Sequence, residues 1–512
     1  MEIAQPNYIY RISAVPNDTY YTTLWGLHNT GQTVSLLLEG AISTDNPGTS
    51  GSDINIEPIW DKVTDCSSVV VAILDTGVNY NHSDLNSNMW NGGTSYPNHG
   101  YDFVNSDTNP MDDNGHGTHL AGIIGAVGNN GKYGTGVCWK ASMMAIKALD
   151  DTGVGYTSQI VQGIDFAINN GAKVINMSFG GSANDAAIAA EITAAEQAGV
   201  LVVAAAGNDG VDIDSTTKTY PCAYTNSNII CVAALDQADI LANFSNYGAT
   251  SVDVGAPGLN IYSSWFGDVI TDDFSIPWTL TGTIGTWGYS YITVYGNQVN
   301  LLTSPSNWSV SGANKYVSNS NKGIWRNFSI DSSSSYIALA FYASVDVDSP
   351  DFFKIYYNTG LNPIGGSGLV DSISQKVLSY PITSFDSYQY LLPNCIGQSN
   401  CSIGFQLTST GSSNPRSGVA IGYFNIYEVK NPTTYYKIEH GTSMATPYVT
   451  GLAAILMAYN PGYTYSNVRN AIINGGRSVS ALSQKTTSGN SIDGWGAITY
   501  INAPIGITAT VK

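Results

Sequence analysis

The 512-residue sequence predicts an α/β fold: a doubly wound, mainly parallel sheet with helices on both faces, interrupted by an inserted all-β sandwich. Three observations carry this. Unbroken apolar runs, such as Val69, Val70, Val71, Ala72, Ile73 and Leu74, read as strands buried on both faces. Such runs alternate with helical apolar patterns, the signature of βαβ units. Helical periodicity then stops near Phe266, short β-branched and aromatic runs follow between Ser, Asn and Gly turns, and the helical pattern resumes near Gly441. The expected organisation is a short segment 1–13, an α/β domain built from 14–267 and 431–512, and an insertion at 268–430.

The elements follow in order. The first apolar run ends in Asp75-Thr76-Gly77. Strand carboxyl ends are where α/β folds place ligands and chemistry, although an Asp opening a turn before Gly leaves the same trace. An acidic loop, 101–114, holds Asp102, Asp107, Asp112 and Asp113 and runs into Asn114-Gly115-His116-Gly117-Thr118-His119 at the start of a glycine-dotted helix. Two histidines three apart suggest zinc, but the Glu of a His-Glu-x-x-His pattern is missing. Then come strand 142–149, helix 158–169, strand 174–180, an Ala-rich helix 186–198, strand 200–208 with Asn208 at its end, and strand 228–234. Inside the insertion, runs at 289–294, 323–330, 336–347, 352–357 and 419–429 are spaced as in an antiparallel sandwich. Its flanks, 260–265 and 435–439, are expected side by side, because otherwise the α/β core could not close.

After the insertion stands Gly441-Thr442-Ser443-Met444-Ala445-Thr446-Pro447. Proline is tolerated in a first helical turn and breaks an interior, so the helix is expected to start just before Pro447, with a second helix at 466–474. Ser443 then stands at a helix N-terminus, where free N–H groups and the dipole favour negative charge. An ordinary capping serine would look the same.

Charged residues make up only 11%, and Asp and Glu outnumber Lys and Arg 38 to 19, a net charge of -19. That balance argues against nucleic acid and against an anionic membrane surface, and it suits calcium, which takes carboxylate and carbonyl oxygens. The six cysteines permit fifteen connectivities. Local spacing groups Cys222 with Cys231 and Cys395 with Cys401, leaving Cys66 for Cys138. An even count without CxxC or Cys/His metal spacing fits an oxidising, extracytoplasmic location. No apolar run reaches membrane-spanning length and no signal peptide is recognised, so secretion would require a leader outside this sequence.

Three stretches, Ala72 to Gly77, Asn114 to His119 and Gly441 to Pro447, resemble the Asp, His and Ser boxes of subtilisin-like serine peptidases, in subtilisin order, with Ala206-Gly207-Asn208 between them. The resemblance covers 14–266 and 435–500. It implies a secreted serine endopeptidase with Ser443 as nucleophile, His116 as base, Asp75 as its orienting partner and Asn208 as oxyanion donor. It implies a substrate-pairing edge at Ser178, Phe179 and Gly180. Ala204, Ala205, Ala206 and Gly207 would wall the first specificity pocket, with broad specificity and apolar or aromatic residues preferred before the cut. The sequence is most similar to the thermitase-like branch, which implies structural calcium. One site would use Asp18, Asp84 and Asn130 with the carbonyls of Val127, Lys132 and Gly134. A second would use Asp102 and Asp107 with the carbonyls of Asn109 and Met111, although Asn105 stands where a third acid is expected. Residues 1–13 resemble the last strand of an inhibitory propeptide. The insertion resembles jelly-roll modules of secreted proteases and adhesins. It is expected to filter bulky substrates or to bind substrate, glycan or a cell surface, on an extracellular and monomeric protein with protein or peptide substrates.

Two rivals remain. Leu74-Asp75-Thr76-Gly77 also fits an aspartic-protease box, but no second such box exists and strand–helix alternation contradicts that all-β fold. The other is a surface adhesion or glycan-binding protein with a vestigial peptidase domain, against which stand the four filled catalytic positions.

Overall fold

The computed structural model divides the chain into two compact units, Met1–Phe266 with Thr434–Lys512, and Gly267–Thr433. It describes residues 14–32, 48–215, 217–266 and 436–503 of the first. Of the second it describes 268–272, 279–281, 288–294, 297–304, 321–330, 334–347, 350–360, 363–364, 369–373, 386–408 and 418–430. The propeptide-like segment 1–13 lies outside the described residues.

Up to Phe266 the first unit runs α1 (Glu57–Trp60), β1 (Asp65–Asp75), β2 (Gly100–Asp102), α2 (His116–Gly125), β3 (Lys140–Lys147), α3 (Thr157–Asn169), β4 (Val174–Met177), α4 (Ala186–Gln197), β5 (Leu201–Ala205), β6 (Ile229–Leu235), β7 (Val254–Pro257) and β8 (Ile261–Ser264). The second unit holds β9 (Asp268–Asp272), β10 (Thr279–Thr281), β11 (Gly288–Val294), β12 (Asn297–Ser304), β13 (Asn321–Ser329), β14 (Ser334–Asp346), β15 (Phe352–Asn358), β16 (Leu369–Ile373), β17 (Asp386–Leu391), β18 (Asn400–Thr408) and β19 (Gly418–Lys430). The first unit then closes with β20 (Tyr436–Glu439), α5 (Thr442–Tyr459), α6 (Tyr465–Asn474), β21 (Arg477–Ser478), β22 (Asn490–Ser491) and α7 (Gly494–Ile501).

The central sheet has the order β2-β3-β1-β4-β5-β6-β7-β22-β21, with every pairing parallel except that between β21 and β22. Alternation along β1 explains why helices cover both faces. Val69, Val71 and Ile73 pack in one cluster with Leu120 of α2 and Val449 and Leu452 of α5. Ala72 and Leu74 point the other way, into a cluster with Ile160 and Ile164 of α3 and Ile192 of α4. The doubly wound prediction is therefore met.

In the second unit, two antiparallel sheets, β10-β13-β18-β15-β16 and β11-β12-β19-β14-β17, share one buried core. Phe341 of β14 meets Phe405 of β18 edge-on, and Phe328 of β13 stacks on Phe424 of β19. The insertion leaves and re-enters the first unit through β8 and β20, which pair antiparallel from Ile261↔Glu439 to Ser264↔Tyr436. The flanks thus lie side by side as expected. The disulfides are Cys66–Cys138, Cys222–Cys231 and Cys395–Cys401, the grouping that spacing suggested.

One expectation fails. Helix α5 begins at Thr442, so Pro447 lies inside it, in the second turn. A proline there cannot donate to the carbonyl four residues back, which belongs to Ser443. That carbonyl instead accepts the Ser178 hydroxyl at 2.9 Å. A tertiary contact tolerates what local propensity forbids.

Candidate active site

Asp75 ends β1, between β3 and β4, with no solvent exposure. Its Oδ1 accepts the Thr76 N–H at 2.8 Å and His116 Nδ1–H at 2.7 Å. His116 opens α2, and because its Nδ1 faces a carboxylate oxygen that can only accept, Nδ1 carries the proton and Nε2 is left as the basic nitrogen. Desolvation alone would lower its pKa, but the Asp75 carboxylate, with smaller contributions from Glu439 and Asp112, holds it above 6.5. Its ring is 27% exposed.

The register between β1 and α2 is set by Asp112. Its carboxylate accepts from the Thr76 hydroxyl (2.9 Å), the Thr118 hydroxyl (2.5 Å), and the N–H groups of Asn114, Gly115 and Thr118. Thr76 Oγ1 in turn accepts the Gly117 N–H at 2.9 Å. Gly117 must lack a side chain, because a Cβ there would come within 2.0 Å of the Gly77 carbonyl. Lys147, in register with Asp75 and 1% exposed, donates to the carbonyls of Thr76 and Leu149 and to Asp113. Sequence reasoning named Asp112 only as one acid of the 101–114 loop and gave neither it nor Lys147 a role. An Asp four residues before a helix-opening His is the signal that pointed to the first. For the second it is a lysine closing the apolar run Met143-Met144-Ala145-Ile146.

Ser443 is the second residue of α5. Its hydroxyl donates to the Ser178 carbonyl at 2.8 Å and, among the described residues, not to His116. Asn208 is exposed just beyond β5, and its Oδ1 accepts both the N–H and the hydroxyl of Thr442 at 2.9 Å. Those donors assign the amide, leaving Nδ2–H turned away from Thr442; Nδ2 lies 3.3 Å from where a Cβ on Gly441 would sit. Thr442 Oγ1 also accepts the Gly207 N–H at 3.1 Å, so one threonine ties the end of β5 to the start of α5.

Ser178, Phe179 and Gly180 continue from β4 without strand partners among the described residues, and pairing resumes at Gly181 with Tyr220. Beside them opens a cavity of about 360 Å3 lined by Leu149, Val154, Ile160, Phe179, Ile188 and Tyr224, among others. The small residues Ala204, Ala205 and Ala206 are buried in β5 and the core behind it, and neither they nor Gly207 line this cavity.

The two acidic regions differ. Asp18 and Asp84, both buried, are bridged by the loop 129–134. Asp18 accepts the N–H groups of Asn129 (2.6 Å) and Asn130 (3.0 Å). Asp84 accepts Asn130 Nδ2–H (2.7 Å), the Gly134 N–H (3.2 Å) and the Tyr436 hydroxyl. Burial raises the Asp18 pKa, the two loop N–H groups pull it down, and the charge of Asp84 raises it further. The Lys132 carbonyl accepts Thr19 N–H, and Val127 N–H donates to the Asp84 carbonyl. Two buried like charges beside amide and carbonyl oxygens suit a hard cation. Among the described residues no three His, Cys, Asp or Glu side chains converge, so backbone and amide oxygens would have to complete any such shell. At the other region Asp102 and Asp107 pair through their backbones. The Asp102 carboxylate is taken up by Val104 and Asn105, and Asp107 by the Asn109 N–H, while Asn109 Oδ1 accepts the Tyr80 hydroxyl. Met111 lies in the same loop, next to the carbonyl of Pro110 that accepts Val78 N–H.

Comparison with known proteins gives the family. The Subtilase family, peptidase S8, matches residues 67–310 and 396–496, more than half the chain. A thermophilic serine proteinase of Bacillus sp. (strain AK1) is 39% identical over 52% of this chain and 57% of its own length. Thermitase of Thermoactinomyces vulgaris is 42% identical over 40% of this chain and 68% of its own. The cell wall-associated protease of Bacillus subtilis (strain 168) is 36% identical over 51% of this chain and 26% of its own. The chain thus spans from 26% to 68% of the length of these relatives. With the profile covering β1, α2, β5 and α5 alike, the chain belongs to the subtilase family, with relatives consistent with its thermitase-like branch.

Proposed function

We propose that the protein is a secreted serine endopeptidase that cleaves peptide bonds through an acyl-enzyme. The observation that carries this reading is the 2.7 Å bond from His116 Nδ1–H to buried Asp75, set at a strand end with Ser443 at a helix start. In this reading Ser443 Oγ turns from the Ser178 carbonyl toward His116 Nε2, gives up its proton there and attacks the scissile carbonyl. Asn208 Nδ2–H and the Ser443 N–H receive the oxyanion, aided by the N-terminus of an 18-residue helix. The imidazolium, stabilised by Asp75, passes the proton to the leaving amine. Water then repeats the sequence to free the acid.

An extended substrate would pair with Ser178, Phe179 and Gly180 by β-addition. The apolar cavity beside Phe179 would take an apolar or aromatic side chain of the substrate, whereas Ala204 to Gly207, which do not line that cavity, would border a separate pocket for the residue before the cut. Calcium would be held by Asp18, Asp84 and Asn130 with the carbonyls of Val127, Lys132 and Gly134, where it would neutralise two buried carboxylates and stiffen the loop. The three disulfides support an oxidising, extracellular setting.

The test is casein hydrolysis together with labelling by a serine-directed fluorescent phosphonate. Wild type should cleave and take one label, and Ser443→Ala should do neither. Equal activity of the two proteins would overturn the assignment.

A further inference from the structure

Resting on the reading of Ser443 as nucleophile, we propose that Asn176 and the Ser178 hydroxyl form a buried relay that replaces the helix hydrogen bond lost at Pro447 and thereby fixes Ser443. Helix α5 places a proline four residues after its nucleophile, so the Ser443 carbonyl has no i+4 N–H to accept. A carbonyl left unpaired at a helix start would cost stability and let the first turn drift.

The structure supplies a donor from another element. The Ser178 hydroxyl reaches the Ser443 carbonyl at 2.9 Å. A hydroxyl rotates freely, so its single proton must be committed to that carbonyl rather than elsewhere. Asn176 does this: its Nδ2–H donates to Ser178 Oγ at 2.9 Å, which fills the oxygen as acceptor and leaves its proton for Ser443. The amide orientation is fixed in turn, because Asn176 Oδ1 accepts the Thr450 hydroxyl at 2.8 Å. Thr450 lies two turns along α5 from Ser443, so the chain of bonds leaves the helix, crosses the end of β4 and returns. Asn176 and Thr450 are fully buried and Ser178 is 1% exposed. In the proposed mechanism none of these side chains touches the scissile bond. They act as positioning groups for the nucleophile and for the Ser178 carbonyl, to which the Ser443 hydroxyl donates.

The test is a double-mutant cycle between Ser178→Ala and Pro447→Ala, with kcat and KM on a peptide anilide, phosphonate labelling rate and Tm measured for each protein. Ser178→Ala alone should lower kcat and labelling on the order of tenfold with KM within about twofold, since placement is lost rather than binding. In the Pro447→Ala background the alanine N–H serves the carbonyl, and the same change should cost less than about twofold. Equal losses in both backgrounds would overturn the relay. Should Pro447→Ala not fold, Asn176→Ala combined with Ser178→Ala decides: non-additive losses support the relay and additive losses overturn it. If wild type takes no phosphonate, the nucleophile assignment falls and the relay with it. If wild type is labelled but the cycles show no coupling, only the relay falls.

Discussion

His116 is held by charge on more than one side. Asp75 binds its Nδ1, while Glu439 and Asp112 add negative potential, and together they outweigh desolvation. The proposed base must be neutral to accept the Ser443 proton, so kcat/KM should rise with pH through an apparent pKa above 6.5. Glu439→Gln removes one source of imidazolium stabilisation, and the acid limb of the pH profile should move to lower pH. A limb that stays in place would show that Glu439 does not act on His116. The placement of Asp75, His116, Asn208 and Ser443 at or beside element ends was legible in the sequence because each sits in a short local motif. The roles of Asp112, Lys147, Asn176 and Glu439 were not. Their meaning lies in contacts across the fold; Asn176 meets Thr450 over 274 residues.

At the scale of elements, α2 presents two histidines with opposite tasks. His116 faces the cleft, whereas His119 is fully buried, with Nε2–H shared at 3.1 Å between the carbonyls of Ile261 in β8 and Lys437 in β20. Its Nδ1 has no partner among the described residues, and burial pushes its pKa down to about 4. The folded pKa lies below the ordinary 6.5, so the unfolded chain binds more protons between the two values. Stability from this group is therefore complete above pH 6.5 and is lost as pH falls toward 4, by about 3 kcal/mol at most. Melting should show Tm falling across that window, and His119→Gln should flatten the fall while lowering Tm at neutral pH. An unchanged slope would contradict the linkage. Element types were read well from period and run length. The start of α5 was misread because a proline rule that holds for isolated helices yields to a hydroxyl supplied by Ser178, just beyond β4.

At the scale of the whole molecule, buried carboxylates and disulfides hold loops that the sheet alone does not. Under the calcium reading, adding calcium to chelator-treated wild type should raise Tm, and Asp84→Asn should abolish most of that rise. An equal rise in both proteins would remove Asp84 from the site. The sandwich was legible from turn spacing, whereas its packing partners were not, because strand order depends on pairings such as β13 with β18 that are far apart in the chain.

The pairing of β8 with β20 has a further consequence. An insertion of more than 160 residues departs and returns on neighbouring strands, so to the α/β unit it is no more than the loop of a hairpin. Joining Phe266 to Thr434 through a two-residue Asn-Gly turn should leave a protein that folds and cleaves small peptides; loss of both would show that the unit depends on its guest. Such an attachment point works as a socket.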